Sequence, residues 1–179
     1  MSTIRIPYKV SNELITSLIN NNMRLTDYGP AYNGESVALD LFNTGPTVSI
    51  PPSAEKFDHE IWSGLEERVR KSIFKILIPS GLYLALPKGY VALLRERGSI
   101  TKTPLVLRAG VIDPGYTGEI FVNLINTSSL FYEIPQHAKL PVQLLVLPIV
   151  NDFKYVTDSA FNDLVADSKR SSGCIGSSD

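Results

Sequence analysis

Cysteine and histidine are almost absent: the chain has one cysteine, Cys174, and two histidines, His59 and His137. A lone cysteine excludes an intramolecular disulfide and argues against a cysteine-based metal centre. Two isolated histidines cannot build a zinc site by themselves. Charge of one sign is lacking too, with 17 Lys and Arg against 18 Asp and Glu. That balance argues against holding nucleic acid by bulk electrostatics, but leaves room for a local cationic pocket around a small anion. No run approaches the ~20 apolar residues that span a bilayer, and the opening MSTIRIPYKV lacks the apolar core of a signal peptide. The expectation is a soluble, intracellular, metal-free chain whose 179 residues suffice for one domain with a real core.

Turn formers are plentiful. Twelve prolines and twelve glycines punctuate short apolar runs, a pattern of many short strands joined by turns. Candidate strands are 36–42, 47–50, 75–78, 82–86, 91–95, 105–107, 119–126, 130–134 and 142–150. Several, such as QLLVLPIV, are continuous apolar runs, as expected of strands covered on both faces in a sandwich core or a subunit interface. Pro79, Pro87, Pro135 and Pro148 fall at or near run ends, where a missing ladder donor costs least. The fold class predicted is mainly β, a sandwich or barrel.

One segment departs from this pattern. Over 53–75, Phe57, Ile61, Leu65, Val69 and Ile73 recur every four residues, which lays one apolar stripe along a helix capped by Ser53. A weaker helical signal covers 11–20, where Leu14, Ile15 and Leu18 share a face. The ending DSKRSSGCIGSSD is small, polar and rich in Gly and Ser, a composition that stays disordered unless a ligand orders it.

The densest chemical constellation is AGVIDPGYTGEI. Asp113-Pro114-Gly115-Tyr116 is a tight-turn sequence between apolar runs and reads as a β-hairpin tip, where a carboxylate can orient a water beside an aromatic ring that supports a flat ligand. Arg95-Glu96-Arg97-Gly98-Ser99 suits an anion, with a guanidinium fork, a hydroxyl and glycine-freed N–H groups. Asp40 lies in the apolar strand SVALDLF, and a buried aspartate needs a charged or multiply hydrogen-bonded partner. Neither histidine has a serine or cysteine nucleophile in a recognisable motif; His137, in the polar turn PQHAK, reads as solvent-facing.

Taken in order, these pieces resemble the homotrimeric dUTPase family within the dUTPase/dCTP deaminase superfamily, from about Ser36 to the C-terminus apart from the 53–75 helix. SVALDLF resembles the first motif, with Asp40 at the aspartate and Ala38 in place of the usual glycine. RGSI resembles the second, with Arg97, Gly98 and Ser99. AGVIDPGYTGEI is nearly an unmodified third motif. LPVQLLVLP resembles the fourth, with Gln143 at the glutamine and Leu140-Pro141 replacing the usual Arg-Ile. RSSGCIGSS resembles the fifth, with Arg170, Gly176 and Ser177, and with Ile175 where the family phenylalanine stacks on the base. Asn123 stands at the place of the deaminase branch's catalytic glutamate, and asparagine cannot serve as its acid and base, so the pyrophosphatase branch is favoured.

The resemblance implies a jelly-roll-like domain over 1–165, with the helix at 53–75 inserted and a flexible arm at 166–179 closing over the site. It implies hydrolysis of dUTP to dUMP and pyrophosphate, limiting uracil in DNA and supplying dUMP for thymidylate synthesis. The implied assembly is a homotrimer with interfacial sites, in the cytoplasm (of a host cell, if the origin is viral), with no direct nucleic acid and no membrane. Asp113 would activate water. Tyr116 would pack on the deoxyribose, and the backbone from Leu107 to Gly110 would read uracil. Arg97, Gly98, Ser99 and Gln143 would hold phosphates, with Mg2+ carried by the triphosphate. Asp40 would orient the arm through Arg170, Ile175 would cap the base, and Gly176 and Ser177 would close on the γ-phosphate. Two alternatives stay open: a related pyrophosphohydrolase of shifted base preference, and a dUTPase-fold module that binds a protein partner through the 53–75 helix.

Overall fold

The computed structural model describes residues 5–30, 35–53, 63, 64, 66, 67, 76–150 and 153–166. It divides into two units, Met1–Ile149 and Val150–Asp179. In the first unit the elements are β1 (Tyr8–Val10), α1 (Asn12–Asn20), β2 (Ala38–Phe42), β3 (Val48–Ile50), β4 (Leu77–Leu84), β5 (Tyr90–Glu96), β6 (Leu105–Arg108), β7 (Val111–Ile112), β8 (Glu119–Asn126), β9 (Tyr132–Ile134) and β10 (Lys139–Pro148), with 3-10 turns at Leu25–Asp27 and Gly98–Lys102. One sheet runs β1-β4-β8-β6, a second runs β2-β10-β5-β7, and β3 pairs with β9. This mainly β architecture is the expected one, and it is consistent with a jelly roll.

Period-two alternation sets the core. Ile120, Val122 and Leu124 of β8 and Leu140, Val142 and Leu144 of β10 are buried, with less exposed than 3% in each. Burying each such side chain contributes about 1.5–3 kcal/mol. Within the single chain the apolar runs therefore alternate, with one face covered by the core. Their outward residues, such as Phe121 and Leu147, stay exposed.

Two expected strands, 75–78 and 82–86, are one strand, β4. The Pro79-Ser80-Gly81 step that looked like a break is a bulge, with the β4–β8 register shifting between Pro79 and Tyr83. Gly81 takes φ +66° there. Its N–H donates to the Glu119 carboxylate at 2.7 Å, and the Ser80 hydroxyl donates to the Ile120 carbonyl at 2.6 Å. Side chains thus satisfy what the ladder leaves open.

The helix foreseen near 11–20 is α1. Ser11 caps it by accepting from the Leu14 N–H at 3.2 Å, and Leu14 and Leu18 are fully buried. His137 is not solvent-facing as expected, but half-buried. Its Nδ1 lies 2.9 Å from the Ser17 hydroxyl oxygen, and its carbonyl accepts from the Asn21 side chain at 2.8 Å. A long-range pin of this kind leaves no local pattern.

Of the helix expected over 53–75, most lies outside the described residues; Ser63, Gly64 and Glu67 are helical, and Ser63, Gly64, Glu66 and Glu67 are exposed. The second unit carries a helix that the sequence reading did not single out, α2 (Asp158–Val165), capped by Thr157. Of the arm expected over 166–179, residues 167–179 lie outside the described residues.

Candidate active site

Between β6 and β7 the chain changes sheets. β6 pairs with β8 in the first sheet, whereas β7 pairs with β5 in the second through Ala92↔Ile112 and Leu93↔Val111. The crossing needs unusual backbone: Ala109 has φ +60° and Gly110 φ +127°. An added Cβ at Gly110 would lie 3.1 Å from both the Leu94 Cβ and its carbonyl oxygen, while the Leu94 N–H donates to the Gly110 carbonyl at 2.8 Å. Only glycine tolerates that φ readily. The left-handed alanine costs about 1–2 kcal/mol, strain of a kind that clusters at functional sites.

Asp113-Pro114-Gly115-Tyr116 then closes a turn, with the Tyr116 N–H donating to the Asp113 carbonyl at 3.0 Å. It was expected as the tip of a hairpin. Instead it bridges β7 in one sheet and β8 in the other, because Gly110 has already diverted the chain. The Tyr116 ring lies against Gly118, where a Cβ would come within 2.8 Å of the phenol oxygen. The Tyr116 hydroxyl donates to the Glu119 carbonyl at 2.6 Å, which fixes the ring. Asp113, Tyr116 and Gly110 line one cavity of about 310 Å3 with apolar walls that include Leu94, Ile112 and Ile120. Arg108 and Asn123, direct partners across β6 and β8, line it as well. Leu107 lines a neighbouring cavity that shares Leu94 and Ala109. Its N–H donates to the Glu96 carboxylate at 3.2 Å.

The second sheet assembles the charged residues. Asp40, Gln143 and Arg95 are direct partners across β2, β10 and β5, so their side chains stand on one face. Asp40 has the charged partners that its apolar strand demanded. Its Oδ1 is 2.7 Å from the Arg97 Nε, and its Oδ2 is 3.0 Å from the Lys139 Nζ. These groups are partly exposed, and each pair contributes about 0.2–1 kcal/mol; position matters more than stability here. The Gln143 side-chain amide donates to the Glu96 carbonyl at 3.1 Å, and the Arg97 N–H donates to the Pro141 carbonyl at 3.0 Å. Gly98 and Ser99 open the 3-10 turn beside Arg97 and are exposed.

Lys139 was missed by sequence reasoning. Its only local signal is a lone cation ahead of LPVQ, and what brings it to Asp40 is a register shift in β10 between Lys139 and Gln143. Arg170, Ile175, Gly176 and Ser177 lie outside the described residues. Among the described residues, no group of three His, Cys, Asp or Glu side chains is gathered as a metal chelate.

The family model for dUTPase matches residues 65–178. The chain belongs to the dUTPase family. A deoxyuridine 5'-triphosphate nucleotidohydrolase of Dictyoglomus turgidum is 36% identical over 137 residues, covering 72% of this chain and 76% of that protein. In fold, the dUTPase of Staphylococcus bacteriophage 80alpha, solved with dUPNHPP, aligns with a TM-score of 0.68 at 20% identity, over 99% of each chain. A mutant dUTPase of S. aureus phage phi11, which coordinates a structural Mg(II) ion, aligns with a TM-score of 0.59 at 20% identity, over 87% of this chain and 97% of that one. The family model's match begins after Asp40, which is tied to the matched region by its ladder partner Gln143 and by its ion pairs with Arg97 and Lys139.

Proposed function

We infer that this protein hydrolyses dUTP to dUMP and pyrophosphate. The observation that carries the reading is the cavity beneath the Asp113 turn, where a carboxylate, a fixed aromatic ring and strained backbone converge. An apolar pocket with few converging polar groups suits a flat base and its sugar. Tyr116 packs on the deoxyribose, where a 2'-hydroxyl would clash. The backbone between Leu107 and Gly110 pairs with the uracil edge and leaves no room for a 5-methyl group.

Asp113, exposed at the turn, orients the attacking water and takes up its proton. The water oxygen bonds to the α-phosphorus, the bridging P–O bond breaks, and pyrophosphate leaves with the electron pair. Such a displacement depends on in-line positioning and charge neutralisation more than on a strong base. Arg97, Gly98, Ser99 and Gln143 hold the phosphates. Mg2+ would arrive on the triphosphate and would supply neutralisation of phosphate charge. On this reading the family resemblance assigns the closing of the arm to Arg170, Gly176 and Ser177 and the covering of the base to Ile175.

The active species is a homotrimer with sites at subunit interfaces, a reading supported by outward apolar residues such as Leu77, Phe121 and Leu147, each 40–48% exposed in the single chain. Its native mass is then three times 19.7 kDa. The deciding experiment offers purified protein and Mg2+ each of dUTP, dCTP, dTTP and UTP and resolves the products by chromatography. dUMP and pyrophosphate from dUTP alone is the expected result. Deamination of dCTP would overturn the role given to Asn123, and turnover of dCTP to dCMP would point to a shifted base preference.

A further inference from the structure

We propose that Lys139 is a second cation for the outer phosphates at the site, presented together with Arg97 by the single carboxylate of Asp40. This rests on the dUTP-hydrolysing reading above. The Asp40 carboxylate is shared: Oδ1 faces the Arg97 Nε at 2.7 Å and Oδ2 faces the Lys139 Nζ at 3.0 Å. One anion between two cations leaves a positive charge uncompensated on a face that also carries Gln143. Arg97 meets Asp40 through Nε, the nitrogen nearest its stem, and a guanidinium carries further N–H donors on its terminal nitrogens. Phosphate oxygens suit such a fork beside a compact ammonium.

Lys139 arrives there for a structural reason. In the β2–β10 ladder Lys139 is opposite Phe42 and Gln143 is opposite Asp40, so four steps along β10 correspond to two along β2. The irregularity brings the Lys139 ammonium over the Phe42 ring, 5.6 Å from its centroid, and onto Asp40. The lysine thus sits on the same carboxylate as Arg97, beside Leu140-Pro141, where the family's Arg-Ile step is missing. Its side chain is 35% exposed and that of Arg97 26%, so both are accessible to an anion from solvent.

The test compares the two products as competitive inhibitors of dUTP hydrolysis. Pyrophosphate carries the phosphates that Lys139 would hold, and dUMP lacks them. In Lys139→Gln, which removes the charge and keeps a polar side chain, pyrophosphate inhibition should weaken about tenfold or more, while dUMP inhibition and the melting temperature stay close to the wild type. Lys139→Arg should restore pyrophosphate binding, and the salt dependence of pyrophosphate inhibition should be shallower in the glutamine variant than in either cationic form. Unchanged pyrophosphate inhibition in Lys139→Gln overturns the proposal and leaves Lys139 as a structural partner of Asp40. Equal weakening toward dUMP also overturns it, because the effect would then not belong to the outer phosphates. A wild type that hydrolyses no dUTP and is bound by neither product overturns the functional reading and this proposal with it.

Discussion

The cavity under the Asp113 turn and the charged face around Asp40 are held by different means. Backbone shapes the first: a left-handed Ala109, a Gly110 pressed onto Leu94, and a Tyr116 ring laid over Gly118. Side chains build the second, with Asp40 bridging Arg97 and Lys139 on a twisted sheet. A backbone-shaped pocket discriminates by exclusion and has little slack, since close packing resists even a methyl group. A cluster of partly exposed charges binds by Coulomb attraction that water and salt attenuate, so its members contribute in graded amounts. Base and sugar selection belongs with the first means, and phosphate holding with the second.

The sharpest way to break that comparison is at Asp113. Asp113→Asn keeps the turn's shape and removes the proton acceptor, so kcat should fall on the order of a hundred- to ten-thousand-fold. Affinity for a non-hydrolysable dUTP analogue should stay nearly intact, measured by calorimetry. Wild-type turnover in that variant would remove Asp113 from the mechanism. A smaller loss is expected from Asp40→Asn, which keeps a polar group between Arg97 and Lys139 but removes the charge that aligns them. KM for dUTP should rise about tenfold with a lesser change in kcat, in steady-state assays at two salt concentrations. If Asp40→Asn proves as severe as Asp113→Asn, the charged face is not graded and the contrast between the two regions collapses.

How far each region was legible follows from the same contrast. The Asp113 turn could be read because Asp-Pro-Gly carries its conformation locally, and Asp40 because a carboxylate in an apolar strand demands a partner. The partner's identity could not be read in full, because Lys139 reaches Asp40 only through a register shift that exists once β10 pairs with β2. The same limit explains β4. Pro79-Ser80-Gly81 looks like a strand break until the Glu119 carboxylate and the Ile120 carbonyl, distant in sequence, satisfy the bulge. It explains the turn as well: local sequence says that Asp113 turns the chain, but only tertiary pairing says that the two arms go to different sheets. The short helix α2 escaped notice for another reason. Its large apolar residues, Phe161, Leu164 and Val165, span little more than one turn, too few for a periodic signal.

The smallest expected effect tests the support behind the charged face. Tyr28 is 4% exposed and donates its phenol hydroxyl to the Asp40 carbonyl at 2.9 Å. Burial, then the neighbouring Tyr8 and Asp40, raise its pKa well above the ordinary 10.0. The folded state therefore holds the phenolic proton more tightly than the unfolded chain. The stability this supplies is fully present below pH 10 and is lost as pH rises beyond it, by at most about 1.4 kcal/mol per pH unit. Tyr28→Phe should cost about 0.5–1.5 kcal/mol at neutral pH through the lost hydrogen bond. Above pH 10 the gap between variant and wild type should narrow, because the variant has no phenol to ionise at this position. Urea titrations at neutral and alkaline pH measure that difference, and parallel curves would show that Tyr28 does not resist ionisation. Because the hydroxyl holds the Asp40 backbone and not its carboxylate, KM for dUTP should move less than twofold. A shift as large as that of Asp40→Asn would instead mean that the charged face depends on backbone placement, as the Asp113 pocket does.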